Sequence, residues 1–394
     1  MNRRLGMESQ LGVGGGIVSK ESQKNLDKAE DLCRRRKPEQ AVPYLLKAME
    51  DENNLDAFIQ AAFLFPLNEA VQFLEDAERK GRQGLKRRFG PLCFNDDAPQ
   101  VGRFWDILET RPYMRVLQAQ VRLYFENRQF AKSANTIIEM LRLCPGDNTA
   151  QRTWLGSMLL HAGRASDALS FAQNWLLPRE ERADIVPRGG AVFKAPCSDP
   201  LSAEQVEKLS KRSPGSIAYS AALAAYKLWG NSALACQYLR IATSCNPTVL
   251  TKILIKADKP RNLNNMPRGM NGPEEAQDYL WLTQDLWMES SVWNWANGDQ
   301  PTKAILFKTC SRKGCNVIEG SVALFKRCAA CKEVVYCSQT CQKEDWRDHK
   351  PRCQFNQRRK ETVRAMQNGR SLPEDAIDFA SADFSGGMVF TQTT

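Results

Sequence analysis

The residues of this chain best suited to chemistry are cysteines, and most of them lie close together near residue 330. Seven of the thirteen cysteines and one of the two histidines fall between residues 310 and 353. They occur as four close pairs: Cys310 and Cys315, Cys328 and Cys331, Cys337 and Cys341, and His349 and Cys353. Structural Zn²⁺ takes four Cys or His ligands in a tetrahedron, so eight ligands predict two zinc sites. A segment this short buries too little apolar surface to fold alone, and we expect metal to replace a core.

The spacing of the pairs does not decide which pairs share a metal ion. Two other interpretations are reduced thiols without metal and a set of disulfides. The regular pairing is unusual for ordinary thiols, and no apolar signal segment follows Met1 to support a secreted, disulfide-bonded chain. With four ligands each, neither site keeps the open position of a catalytic zinc, and no glutamate stands in an H-x-E or H-E-x-x-H arrangement with His349. The sequence therefore predicts two structural zinc ions.

The residues between the ligands resemble the MYND zinc finger. The resemblance is carried by Lys326–Cys331, Val335–Ser338 and Cys341–Trp346. Two departures are the four residues within the first pair and a long loop before Cys328, and loop length is cheap to change in a metal-closed knuckle. The resemblance implies a cross-braced arrangement in which the first and third pairs share one ion and the second and fourth share the other. The implied ligand sets are Cys310, Cys315, Cys337 and Cys341 for one zinc, and Cys328, Cys331, His349 and Cys353 for the other.

The elements that position these ligands are short. Residues 334–336 are expected to form a strand, and Ser338 is placed to cap a helix over about 339–348. Gln342 and Trp346 are four residues apart, so they share one face of that helix. The MYND resemblance implies that these two residues line a groove for Pro-Leu-Pro-type peptides. In the alternative, Trp346 covers the zinc knuckle as a miniature core; Tyr336 is expected to pack.

The formal net charge of +10 raises the question of nucleic-acid binding. Seven thiolates and two Zn²⁺ ions change that charge by −7 and +4, which leaves +7. Residues 307–353 contain ten Lys/Arg and five Asp/Glu, so the same correction lowers their charge from +5 to +2. This is a small charge for a domain whose affinity would come from neutralising phosphates, and no Arg- and Asn-rich recognition helix is visible. Protein partners are therefore favoured over nucleic acid.

The rest of the chain has the periodicity of α-helices. Two predicted helix pairs are the most regular: 116–125 with 131–143, and 149–161 with 165–177. Ala134 and Ala168 occupy corresponding places 34 residues apart, the tetratricopeptide period. The strings at 110–115 and 143–148 also resemble the tetratricopeptide-like core of the suppression-of-tumorigenicity-seven family. A compact helical bundle with accidental periodicity is the alternative. His161 ends a predicted helix without ligand partners, so we expect a packed or surface histidine.

The expected fold class is mainly α: a tetratricopeptide-like helical repeat body followed by a small two-zinc cross-braced MYND finger. Residues 11–20 are glycine-rich but lack the Gly-Lys-Ser of a phosphate loop, which favours a flexible leader. No apolar run approaches the length that spans a bilayer, and we expect a protein of the nucleus, the cytoplasm or both. The predicted segments are a leader at 1–24, a helical domain at 25–255 with an inserted loop near 177–203, a connector at 256–272, an aromatic-rich helical segment at 273–300, the finger at 306–354, and a basic helix with a disordered tail at 355–394.

These features favour a non-catalytic, zinc-binding adaptor or scaffold. Its finger would bind extended Pro/Leu-containing peptides and its helical surface other proteins, in assemblies of transcriptional regulation or protein quality control. A nucleic-acid-associated regulator and a regulatory subunit of a methyltransferase-type enzyme are the alternatives. MYND fingers occur beside SET methyltransferase domains, but no Asn-His-Ser-Cys-like motif is present. A prolyl-hydroxylase iron site needs two histidines, and only His161 remains once His349 binds zinc.

Overall fold

A computed structural model describes residues 6–177, 186–264, 268–367, 370–373 and 376. The described chain is mostly helical and divides into two compact units, Met1–Ser198 and Asp199–Gln392. The division falls within the loop near 177–203 that we expected to be an insertion in a single helical domain. No helix of the described residues is both long and apolar enough to cross a membrane.

The first unit is built from consecutive helices, and from α2 to α9 each packs on its neighbour in the chain. They are α1 Met7–Leu11, α2 Lys20–Arg34, α3 Pro38–Met49, α4 Leu55–Ala62, α5 Leu67–Phe89, α6 Arg111–Glu126, α7 Phe130–Leu143, α8 Arg152–His161 and α9 Ala165–Leu176. Short 3₁₀ turns lie at Val13–Gly16, Leu108–Thr110 and Pro187–Gly190. Residues 178–185 of the predicted loop lie outside the described residues.

The periodic segments of the sequence form the helix pairs α6–α7 and α8–α9. Ala134 and Ala168 are completely buried, which lets the helices of each pair approach closely. Gly163, with a φ of 73°, and Arg128, with a φ of 58°, provide the left-handed residue in the turn of each pair. These observations agree with helix-turn-helix pairs, while a regular tetratricopeptide array stays a prediction. His161 stacks on Phe130, with 4.3 Å between the ring centroids.

The expected leader at residues 1–24 is wrong for the described part of that segment. Residues 6–24 form α1, a 3₁₀ turn and the beginning of α2. Glu8 of α1 is buried and forms an ion pair with Arg115 of α6, at 2.8 Å between Oε2 and Nη1. Asp56 approaches the same guanidinium, at 2.7 Å from Nε. The backbone amide of Gly14 donates to Glu8 as well, so a distant arginine anchors a segment whose own composition suggests flexibility.

The helices of the second unit surround an aromatic core. They are α10 Ala203–Arg212, α11 Gly215–Trp229, α12 Ala233–Cys245, α13 Pro247–Leu254, α14 Pro273–Trp287, α15 Ser290–Gly298 and α16 Gln300–Leu306. Trp287 of the aromatic-rich segment is fully buried and meets Tyr219 of α11 edge-on, at 5.8 Å between ring centroids. Trp295 stacks on Tyr226 of α11 at 4.4 Å. The aromatic-rich segment therefore packs on α11 within this unit.

The described residues after α16 contain one small sheet and one long helix. Strands β1 Lys326–Arg327 and β2 Val335–Tyr336 pair antiparallel, with Lys326 opposite Tyr336. Helix α17, Gln339–Gln367, is separated from β2 by two residues and contains Pro351. The two helices predicted on either side of Cys353 are thus one continuous helix. Nearly all of the predicted tail after residue 367 lies outside the described residues.

Candidate metal centre

The local structure after β2 brings two ligands to the start of α17. The hydroxyl of Ser338 accepts the backbone N–H of Cys341 at 3.1 Å, which caps the helix as the sequence predicts. Cys337 therefore lies just before the helix and Cys341 in its first turn. On the facing strand, the amide of Cys328 donates to the Val334 carbonyl at 3.0 Å, which continues the β1–β2 pairing into the second ligand pair.

The first cluster contains four cysteines from the first and third pairs: Cys310, Cys315, Cys337 and Cys341. Three of the distances between sulfur atoms are 3.4, 3.6 and 3.7 Å. A tetrahedral zinc with Zn–S bonds of about 2.3 Å requires sulfur atoms about 3.8 Å apart. The donor types, their number and their separation therefore fit one Zn²⁺ ion.

The second cluster contains the second and fourth pairs: Cys328, Cys331, His349 and Cys353, all four buried. The sulfur atoms of Cys328 and Cys353 are 3.8 Å apart, and the Cys331 sulfur lies 3.4 Å from Nε2 of His349. These spacings suit a tetrahedral Cys₃His zinc site. The structure thus brings together the two cross-braced sets that the resemblance implies, and each set offers the four donors that a zinc ion takes.

Main-chain amides favour the thiolate form of one cysteine in each cluster. The backbone N–H of Val317 lowers the pKa of Cys315 to about 6. Burial opposes ionisation of Cys328, but the amides of Cys331 and Ala330 and the His349 side chain lower its pKa to about 6. In the same clusters, the hydrogen bond with Cys341 raises the pKa of Cys337 and burial raises the pKa of Cys353. Thiolates are the form that binds zinc, so a bound cation is needed to hold all the sulfur ligands ionised.

Glu319 organises the finger without being a ligand, and our reading of the sequence did not identify it. Its side chain is only 3% exposed. One carboxylate oxygen accepts the Lys308 amide at 3.0 Å, and the other accepts the Phe325 amide at 2.8 Å. The carboxylate, which lies within the long loop between the first two ligand pairs, therefore ties the segment just before the first pair to the end of that loop. A single acidic residue in a loop gives no sequence signal for such a role.

Two further contacts join α17 to the zinc-binding loops. The ammonium group of Lys360 donates to the carbonyl of Cys331 and forms an ion pair with Glu333 at 3.0 Å. The hydroxyl of Tyr336 donates to Asp345 at 2.7 Å, and the ring of Tyr336 is 2% exposed. Burial and this hydrogen bond raise the pKa of Tyr336 well above its ordinary value. Tyr336 is therefore a packing residue, as expected.

The two residues predicted to bind peptide lie on the first half of α17. Gln342 is half-buried, and Trp346 is 42% exposed. The Trp346 ring meets the ring of the zinc-cluster residue His349 edge-on, with centroids 6.0 Å apart. The indole therefore covers one edge of a ligand and leaves much of its surface open. The contact with His349 agrees with the alternative interpretation, in which Trp346 covers the zinc knuckle, and the open part of the indole is the part that a peptide would contact.

Comparison with known proteins agrees with this geometry. Residues 308–353 match the MYND finger family. A SET domain-containing protein 14 from Caenorhabditis elegans is 49% identical over 39 residues, which is 10% of this chain and 9% of that protein. No solved structure matches the chain. The chain therefore carries a MYND zinc finger at its C-terminal side, with two Cys/His clusters that fit two zinc ions, and the similarity to the curated relative covers only a small part of either protein.

Proposed function

We propose that this chain is a non-catalytic adaptor whose MYND finger binds an extended Pro/Leu-containing peptide beside Trp346 and Gln342. The observation that carries this proposal is the exposed indole held against His349. An aromatic anchor fixed on a rigid helix loses little conformational entropy when a partner covers it. The helical units would supply further protein-binding surfaces.

The zinc chemistry supports a binding role over a catalytic one. Each ion would be surrounded by four protein ligands, so no position is left for a water molecule or a substrate. The metal would hold the loops in place, and the side chains of the finger would do the recognition. The main prediction of this function is thus that replacing Trp346 weakens peptide binding while both zinc ions stay bound.

A binding assay with a fluorescent Pro-Leu-Pro-containing peptide tests this proposal on the zinc-loaded chain. Trp346→Ala should weaken binding at least about tenfold, since aromatic hot spots contribute about 2 kcal/mol or more. Asp348→Ala is the matched control, because this exposed residue lies about 200° around the helix from Trp346. Both variants should keep two zinc ions. Equal peptide affinity in both variants would contradict the groove at Trp346, and release of zinc from Trp346→Ala would make that residue part of the core.

The name of the curated relative favours one second candidate, a role linked to a methyltransferase. That protein is named for a SET domain, although the similarity covers only 39 residues. In this candidate the chain would be a regulatory partner of a methyltransferase. An assay of methyl transfer by such an enzyme, with and without this chain, separates the two functions, because the adaptor proposal expects no change in turnover.

A further inference from the structure

The long loop between the first two ligand pairs is rigidly held but carries apolar side chains on its outside. Ile318 and Leu324 are 61% and 59% exposed. Each precedes a residue that faces inwards: Ile318 precedes the buried Glu319, and Leu324 precedes the buried Phe325. Because the Glu319 carboxylate accepts the Phe325 amide, it holds the backbone at Phe325 close to the Glu319 side chain. Ile318 and Leu324 are thus exposed apolar residues, each next to one of the two residues that this hydrogen bond joins.

The backbone at Ile318 forms an open strand edge. Thr309 and Ile318 face each other in an antiparallel bridge, with hydrogen bonds from Cys310 to Val317 and from Glu319 to Lys308 on either side. In such a pair the N–H and C=O of the central residue point away from the partner strand. Neither group of Ile318 bonds to another described residue. An extended peptide could therefore add to this edge with main-chain hydrogen bonds.

The charges around this loop are positive. Lys308 precedes Thr309, which pairs with Ile318 of the loop. Lys326 and Arg327 directly follow the loop and form β1. Between residues 303 and 327 the only acidic residue is Glu319, and its carboxylate is buried on two amides. Neither Lys326 nor Arg327 forms an ion pair within the part of the chain that the structure describes.

We propose that the edge at Ile318, with Leu324, Lys326 and Arg327, is a second peptide-binding surface for an extended segment with aliphatic residues flanked by Asp or Glu. The open strand edge selects an extended backbone, the two exposed side chains select aliphatic partners, and the cations select acidic neighbours. A bilayer with anionic lipids would also match the charge, but it has no main chain to pair with Ile318. This surface shares no residue with the site proposed at Trp346 and Gln342, so it is tested independently of the proposed function.

Selection of phage-displayed random 12-residue peptides on the zinc-loaded full chain tests this surface. Counter-selection uses the double variant Ile318→Ser with Leu324→Ser, and its matched control is Leu92→Ser, an exposed leucine of the first unit. Peptides that bind wild type and Leu92→Ser but do not bind the double variant are resynthesised and titrated by fluorescence anisotropy. Zinc content and circular dichroism establish that each variant keeps its fold.

The expected peptides carry Asp or Glu on both sides of aliphatic residues. Their affinity should fall at least tenfold with the double variant, and at least tenfold with Lys326→Glu plus Arg327→Glu. It should stay within twofold of wild type with Leu92→Ser. Methylation of a central peptide nitrogen should also abolish binding, because it removes a donor from the strand pairing.

Several results would overturn the proposal. One is a selection in which no peptide distinguishes wild type from the double variant, and another is enrichment of basic or uncharged peptides. Binding that survives nitrogen methylation at every position would rule out strand addition. Capture of phosphatidylcholine–phosphatidylserine vesicles through Ile318 and Leu324, without any selected peptide, would assign the surface to a membrane instead.

Discussion

Glu319 is the residue outside the two ligand sets on which zinc affinity should depend most. Replacing it with alanine removes both hydrogen bonds that the buried carboxylate accepts from Lys308 and Phe325. A hydrogen bond to a charged group contributes about 1.5–3 kcal/mol to stability, so the two together contribute about 3–6 kcal/mol. The finger has only a small core of its own, and its folding is coupled to metal binding.

This coupling converts the lost stability into weaker zinc binding. A loss of about 3 kcal/mol, the low end of the range, lowers the apparent zinc affinity about 100-fold, since about 1.4 kcal/mol corresponds to a factor of ten. Glu319→Gln keeps one acceptor oxygen, so its affinity should fall between wild type and Glu319→Ala. The order of the three proteins is therefore part of the prediction.

Competition with a chromophoric chelator measures the zinc affinity directly. The matched control is Glu333→Gln, which removes an exposed ion pair with Lys360 and should change affinity less than about threefold, because such pairs contribute less than about 1 kcal/mol. The reasoning would be refuted if Glu319→Ala bound zinc within threefold of wild type. It would also be refuted if Glu333→Gln were as weak as Glu319→Ala.

Two further predictions concern the metal and the first helical unit. Chelation should release two zinc ions and remove hydrogen-exchange protection from 308–353, while most helical circular dichroism remains; protection that persists would argue against metal-dependent folding. Arg115→Met should destabilise the first unit by about 3–5 kcal/mol and lower its melting temperature by on the order of 10 °C, because Glu8 and Asp56 would lose their common buried partner. Arg34→Met, which breaks an exposed pair, should lower it by less than about 2 °C, and equal shifts in the two variants would contradict the buried triad.

The helices and ligand-bearing elements were predictable where the responsible interactions are local in sequence. Ser338 caps the helix three residues ahead of Cys341, and β2 covers two of the three residues expected as a strand. The leader was predicted wrongly because Glu8 finds its partner 107 residues away. A carboxylate and a guanidinium at that separation leave no periodic pattern that composition or spacing could show.

The sequence by itself determined that this protein has eight Cys/His ligands in four pairs, because zinc coordination restricts donor types and their spacing. It also determined the mainly helical class through apolar periodicity. Only the tertiary structure decided that Glu319 is buried on two amides, that Trp346 keeps much of its surface open, and that Ile318 leaves a free strand edge. These properties depend on which groups, distant in the sequence, cover a side chain or a main-chain amide. Only the folded chain determines which of these groups come into contact.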